Sequence, residues 1–223
     1  DAAAPQAAVV STDGANQTSE KLTEHLARVL RSCDITMSTV GAIAAGVGPG
    51  TFTGTRVTAA FAKGLAVGLG RPIYPVSTLE ALAWDARDQE GAHHEVAAML
   101  DARRGEIYGA VYEWSDGRHA LRRRGDERCV SLSHFISDAQ LSPNAVLIGT
   151  GVQAYREELD AAHPFALRPT DGLTAKGLWS ASRHALQSDP VAPEVLAVTY
   201  LRASYAEMGI HKPKRPMIKS PFV

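Results

Sequence analysis

Apolar residues return every third or fourth position in TSEKLTEHLARVLRSC (18–33), where Leu22, Leu26, Val29, Leu30 and Cys33 share one face. That period predicts an amphipathic helix with Thr18 or Ser19 as its N-cap. Two apolar runs of strand length, QAAVV (6–10) and VGAIAAG (40–46), flank it. A glycine-rich loop, GVGPGTFTGTR (46–56), ends the second run, and the small and apolar residues after it predict a helix over 51–69. RPIYPVS (71–77) is expected to be extended because its prolines forbid helix continuation. STLEALAWDARDQ (77–89) restarts a helix at a Ser N-cap. Strand and helix alternating up to residue 90 predict an α/β layer with parallel strand pairs.

EVAAMLDARRGEIYGAVYEW (95–114) reads differently, as two strands broken at ARRG in a hairpin or tight crossover. RHALRRR and ERCVSL predict two further strands. SLSHFISDAQL (131–141) is a short capped helix, NAVLIGTG (144–151) a strand with a glycine turn, and TAKGLWSASRHALQS (174–188) an amphipathic helix. The tail HKPKRPMIKSPFV (211–223) has no periodic apolar face, so disorder or an extended strap is expected there.

Composition narrows the class. The 223 residues are 45% hydrophobic and 21% charged, ordinary for a globular protein with a sizeable core. A formal net charge of −1 gives no global field toward nucleic acid or an anionic membrane. Cys33 and Cys129 form no CxxC pair or disulfide framework, which fits a reducing compartment. No apolar run approaches the ~18–20 residues of a membrane span, and no basic-then-apolar leader opens the sequence. A soluble, cytoplasmic protein is expected.

The glycine loop raises the question of phosphate. A P-loop requires GxxxxGK[ST], and neither Gly50 nor Gly54 is followed by Lys-Thr. GxGxxG fails as well, since Thr51 and Thr53 stand where the third glycine belongs. The plainer reading is a turn in which Thr51 caps the next helix; an anion site on the helix-start amides is the alternative. That helix says more. Ala60, Gly64 and Gly68 recur at i, i+4 and i+8, and Thr58, Ala62 and Ala66 do the same one face over. Val57, Phe61 and Leu65 form a separate apolar ridge, and only Arg56 and Lys63 interrupt the apolar surface. Each internal glycine costs on the order of 1 kcal/mol relative to alanine, so close packing must offset it. Such a helix is covered twice, by its own sheet and by something else: a second part of the chain, or another molecule.

Other motifs are weaker. Gly149, Gly151 and Ala154 satisfy GxGxxA, with Asp171 near the spacing expected of a ribose-binding carboxylate, but no clear strand precedes Asp171. The adjacent histidines of HHE (93–95) point to opposite strand faces and share a metal poorly. The remaining histidines are scattered, without HxxxH or HExxH, and there is no GxSxG. Asp101, Arg103, Arg104 and Glu106 form either an acid–base set or a surface charge cluster at a strand joint.

Three stretches, residues 46–83, LDARRGEIYGAVYE (100–113) and YLRASYAE (200–207), together resemble the TsaB (YeaZ) family. This is the bacterial non-catalytic subunit for making N6-threonylcarbamoyladenosine in tRNA. The resemblance implies an α/β, two-lobed ASKHA-type fold, shared with actin, sugar kinases and heat-shock chaperones. Residues 1–98 with 198–223 would form the N-terminal lobe and its returning C-terminal segment, and 99–197 the second lobe. It further implies docking to a TsaD-like transferase, help in recruiting a TsaE-like ATPase, a homodimer when alone, tRNA contact only through the assembled complex, and no cofactor. Family docking uses the first two helices, matching 18–33 and 51–69 here. The interface residues carried over are Leu22, Leu26, Val29, Arg56, Ala60, Lys63, Gly64, Val67 and Gly68.

Departures from the family also matter. ASKHA proteins that bind nucleotide carry an acidic residue followed by Thr or Ser after the first strand, whereas DAAA (1–4) has no hydroxyl. The HxxxH pair of TsaD-like proteins is absent. Family strands before Asp1 and between STDGA and NQTSEK are missing, so the first lobe is expected to lack strands. An ASKHA ATPase or phosphotransferase using the 46–54 loop is the competing enzymatic reading.

Overall fold

The computed structural model describes residues 18–86, 94–115, 120–162 and 165–202. The expected strand at 6–10, the junction of STDGA with NQTSEK (residues 15 and 16) where a family strand is missing, and the 211–223 tail therefore lie outside the described residues.

The chain opens with α1 (Thr18–Ser32), then β1 (Ile43–Gly48), α2 (Phe52–Leu69) and β2 (Ile73–Ser77). The two strands pair in parallel from Ile43↔Ile73 to Gly48↔Ser77, with α2 as the crossover. Thr51 caps α2: its hydroxyl accepts from the Gly54 N–H at 3.2 Å. Gly70 closes the helix in the left-handed region (φ 61°), its N–H returning to the carbonyls of Ala66 and Val67. The buried face of α2 is Ala59, Ala62 and Ala66, packed with Ala45, Val47, Ile73 and Leu196. Alanines there let the helix lie close to β1.

After α3 (Thr78–Asp85) the second sheet begins, with β3 (Glu95–Arg103), β4 (Glu106–Ser115), β5 (Ala120–Ser131), β6 (Val146–Gly149) and β7 (Ala166–Pro169) in the order β5-β4-β3-β6-β7. β3 pairs antiparallel with β4 and parallel with β6. Its side chains alternate faithfully. Val96, Ala98 and Leu100 join the cluster under α3 and α7 (Ala175–Ala185), while Ala97 and Met99 join the one under α4 (Leu132–Ala139), α5 (Thr150–Ala154) and α6 (Arg156–Ala162). Both faces of this sheet are thus covered, which explains the nearly continuous apolar run of β3.

A strap at residues 191–202 returns to the first sheet. The Val191 N–H donates to the Ile73 carbonyl at 2.9 Å and the Thr199 N–H to the Val47 carbonyl at 2.8 Å. Arg202 then reaches the β3–β4 hairpin, donating to the carbonyls of Ala102 (2.7 Å) and Arg103 (3.2 Å) and pairing with Glu106.

Several expectations need correction. The described parts of the two strands expected at RHALRRR and ERCVSL form one strand, β5 (Ala120–Ser131), because a register shift opposite Gly109–Val111 absorbs the extra residues without ending the pairing. A strand does precede Asp171: β7 pairs with β6 from Val146↔Ala166 to Gly149↔Pro169. The helix expected from 77 ends at Asp85 within the described residues. The second sheet starts at Glu95, so a lobe boundary at 98/99 falls inside β3. Among the described residues the first sheet has two strands.

Candidate partner interface

The face of α2 opposite its alanines is open. Arg56, Ala60, Gly64, Val67 and Gly68 are exposed and Lys63 is half-buried. Val67 is 63% exposed, in a helix whose other face is core. Among the described residues, a Cβ at Gly64 or Gly68 would find no neighbouring atom within 4 Å. No intrachain packing among the described residues therefore accounts for these two glycines, and the second sheet is not the cover expected for this stripe. On α1, Leu22, Leu26 and Val29 are half-buried.

The two cations of α2 are engaged within the chain. Arg56 Nε donates to the Tyr200 hydroxyl at 2.5 Å, and its guanidinium sits 3.7 Å from the Phe52 ring centroid. Lys63 Nζ donates to the Glu194 carbonyl at 3.3 Å. Both fasten the strap to α2. Phe52 and Tyr200, with ring centroids 5.7 Å apart, were not among the expected interface residues. The Phe52–Arg56 spacing of one helical turn was readable in the sequence; the approach of Tyr200 was not.

The loop ahead of α2 is filled by the chain itself. A Cβ at Gly48 would lie 3.1 Å from the Thr199 carbonyl oxygen, one at Gly50 3.2 Å from Thr55 Cγ2, and one at Gly54 2.6 Å from Thr51 Oγ1. Beside it, Ser77, Arg123, Asp126, Glu127, Thr199 and Leu201 line an open polar cleft. There the Ser77 hydroxyl donates to Glu127, which pairs with Arg123 at 3.4 Å. Burial, reinforced by the Glu127 charge, pushes the nearby Tyr112 hydroxyl far above its ordinary value and keeps it a donor.

The other motifs resolve structurally. Asp101 accepts from the Arg103 N–H at 2.8 Å, and Glu106 holds Arg202, so both carboxylates have structural partners. Arg103 and Arg104 lie in the left-handed region (φ 65° and 60°), where they build the tight hairpin. Gly149 and Gly151 serve close packing: added Cβ atoms would come 2.1 Å from the Met99 carbonyl oxygen and 2.9 Å from Met99 Cβ. Among the described residues no cluster of metal-ligating side chains forms, and no helix is long and apolar enough to cross a membrane.

Comparison with known proteins gives this geometry its context. A family model described as TsaD, tRNA N6-adenosine threonylcarbamoyltransferase, matches residues 3–166. The tRNA threonylcarbamoyladenosine biosynthesis protein TsaB of Haemophilus influenzae is 32% identical over 183 residues, covering 73% of this chain and 74% of that protein. The chain belongs to the TsaB (YeaZ) family. Escherichia coli TsaB is 35% identical over 129 residues, 57% of this chain, and the match spans only 54% of that protein's length. The solved structure of YeaZ from Pseudomonas aeruginosa superposes with a TM-score of 0.71 at 29% identity, covering 83% of this chain and 85% of that one. The two-sheet architecture of this TsaB-family chain is accordingly the two-lobed ASKHA type. Of its two expected docking helices, α2 leaves an open, small-residue face.

Proposed function

We propose that this chain is a non-catalytic scaffold in the formation of threonylcarbamoyladenosine in tRNA, in the cytoplasm. It docks through α1 and α2 onto a TsaD-like transferase and helps bring a TsaE-like ATPase to the assembly. Without the transferase, the same face pairs two copies. It meets tRNA only within the assembled complex.

The observation that carries this reading is the Ala60–Gly64–Gly68 stripe, exposed and, among the described residues, without intrachain contacts that would account for its glycines. Glycine inside a helix costs roughly 0.5–1 kcal/mol relative to alanine. A second backbone lying along the stripe offsets that cost through close packing. The loop supports the same reading, because Thr51, Thr55 and Thr199 occupy the space beside its glycines. The names of the TsaB relatives supply the pathway.

Reconstitution tests the proposal. Threonylcarbamoyl transfer to tRNA by a TsaD-like transferase with a TsaE-like ATPase should depend on adding this chain. The chain alone should neither hydrolyse ATP nor bind tRNA tightly at physiological salt. Transfer that proceeds equally well without it, or ATP turnover by the isolated chain, would contradict the scaffold reading.

A further inference from the structure

The strap at residues 191–202 is held unevenly along its length. Its first half is anchored in the first sheet: the Val191 N–H bonds to the Ile73 carbonyl, and Leu196 is 5% exposed in the cluster beneath α2. Beyond Leu196 no residue up to Arg202 is buried, and the backbone there joins no helix or strand. Val198 packs in part against the same cluster, and Tyr200 lies beside the Phe52 ring. The other ties are polar. The Thr199 N–H donates to the Val47 carbonyl at 2.8 Å, and Arg56 and Tyr200 form an exposed pair. Arg202 is the strongest tie. Its guanidinium donates to the carbonyls of Ala102 (2.7 Å) and Arg103 (3.2 Å) and to the Glu106 carboxylate, with its side chain 19% exposed. Charge-assisted bonds in a fixed fork outweigh neutral ones.

The same half of the strap walls the polar cleft, where Thr199 and Leu201 stand with Ser77, Arg123, Asp126 and Glu127. Beside Arg202 lies the Cys129 thiol, which donates to Glu106 at 3.9 Å. A segment with few buried apolar contacts and one dominant polar clasp opens locally while the rest of the fold stays intact. We infer that residues 197–202 form a lid on this cleft that lifts as one unit from Leu196, with Arg202 as its latch. Lifting widens the cleft toward Glu127 and uncovers Cys129. The lid depends on contacts within the chain alone and is independent of what α2 docks.

Hydrogen exchange of the full chain reads the lid at the Thr199 amide, because the bond to Val47 breaks when the lid lifts. Arg202→Ala should speed exchange at Thr199 about tenfold or more, the loss expected of a charged hydrogen-bond donor. Val191, on the anchored half, should keep its rate. Arg202→Lys retains the charge but not the fork, so its Thr199 rate should fall between wild type and Arg202→Ala. Cys129 supplies a second readout in a Cys33→Ser background. Its thiolate attacks the S–S bond of an aromatic disulfide reagent and expels an aromatic thiolate, leaving a mixed disulfide on the protein. Labelling should rise in Arg202→Lys by the same factor as Thr199 exchange. Lysine keeps the charge and most of the bulk beside the thiol, so a parallel rise reports the lid and not a local gap. Unchanged Thr199 exchange in Arg202→Ala would overturn the latch. Equal acceleration at Val191 and Thr199 would mean that the chain loosens as a whole, and would overturn the lid. Thr199 exchange that rises without faster Cys129 labelling would overturn the uncovering of the thiol.

Discussion

At Gly64 an added Cβ would touch nothing among the described residues, whereas at Gly149 it would sit 2.1 Å from the Met99 carbonyl oxygen. Gly149 also has φ 124°, a conformation hostile to any side chain. The two glycines therefore answer to different demands. Gly64→Ala should raise the stability of the isolated chain by roughly 0.5–1 kcal/mol, since it restores helix propensity at no steric cost. Gly149→Ala should lower stability by about 1–3 kcal/mol or more, by overpacking and backbone strain together. Urea denaturation of both variants checks the pair. A loss of stability in Gly64→Ala would mean that the stripe is packed within the monomer. From sequence the glycines of GTG and of the α2 stripe looked alike as spacing motifs. What separates them is the β3 backbone lying against β6 and α5, a nonlocal contact that no spacing rule reports.

Among elements, those whose ends are set locally were legible. Thr51, Ser77, Ser131 and Thr174 cap α2, α3, α4 and α7 where the sequence placed helix starts. Short β7 was not, since its strand character comes from pairing with β6 rather than from a β-rich run. That β5 is one strand rather than the two expected was hidden too, because its continuity comes from pairing with β4 across a register shift and from arginines held by partners on neighbouring elements. Arg124 binds Glu95, Glu113 (3.2 Å) and the Ala139 carbonyl (2.6 Å). Burial of Glu95 by itself raises its pKa, but the Ser142 N–H at 2.6 Å and Arg124 outweigh it and hold the carboxyl below its ordinary 4.5. A carboxylate with a lowered folded-state pKa contributes stability that is fully present above its unfolded value. That contribution drains as pH falls through the lowered one. Glu95→Gln should thus cost about 1–3 kcal/mol at pH 7, the penalty of leaving buried partners unsatisfied. It should also lose less stability than wild type as pH falls through and below the ordinary carboxylate value of 4.5. Parallel acid-dependent melts of the two proteins check this, and an equal acid sensitivity would remove Glu95 from the account.

Across the whole molecule, the strap ties the two sheets together, bonding to β1 and β2 before Arg202 clasps the β3–β4 hairpin. It also completes the only face of α2 that the chain's own core leaves open among the described residues. The family resemblance pointed to that face residue by residue, and Ala60, Gly64, Val67 and Gly68 are exposed together on it. Arg56 and Lys63 turned out to be engaged with the strap, which sequence alone did not reveal. The central claim, that this face is built for another chain's backbone, is tested most directly by sedimentation velocity of Gly64→Leu mixed with a TsaD-like transferase. Leucine has room in the monomer, so the variant should keep the wild-type melting temperature. It should nonetheless sediment apart from the transferase, as overpacking an interface costs about 1–3 kcal/mol or more. A stable complex of wild-type size formed by Gly64→Leu would contradict the account.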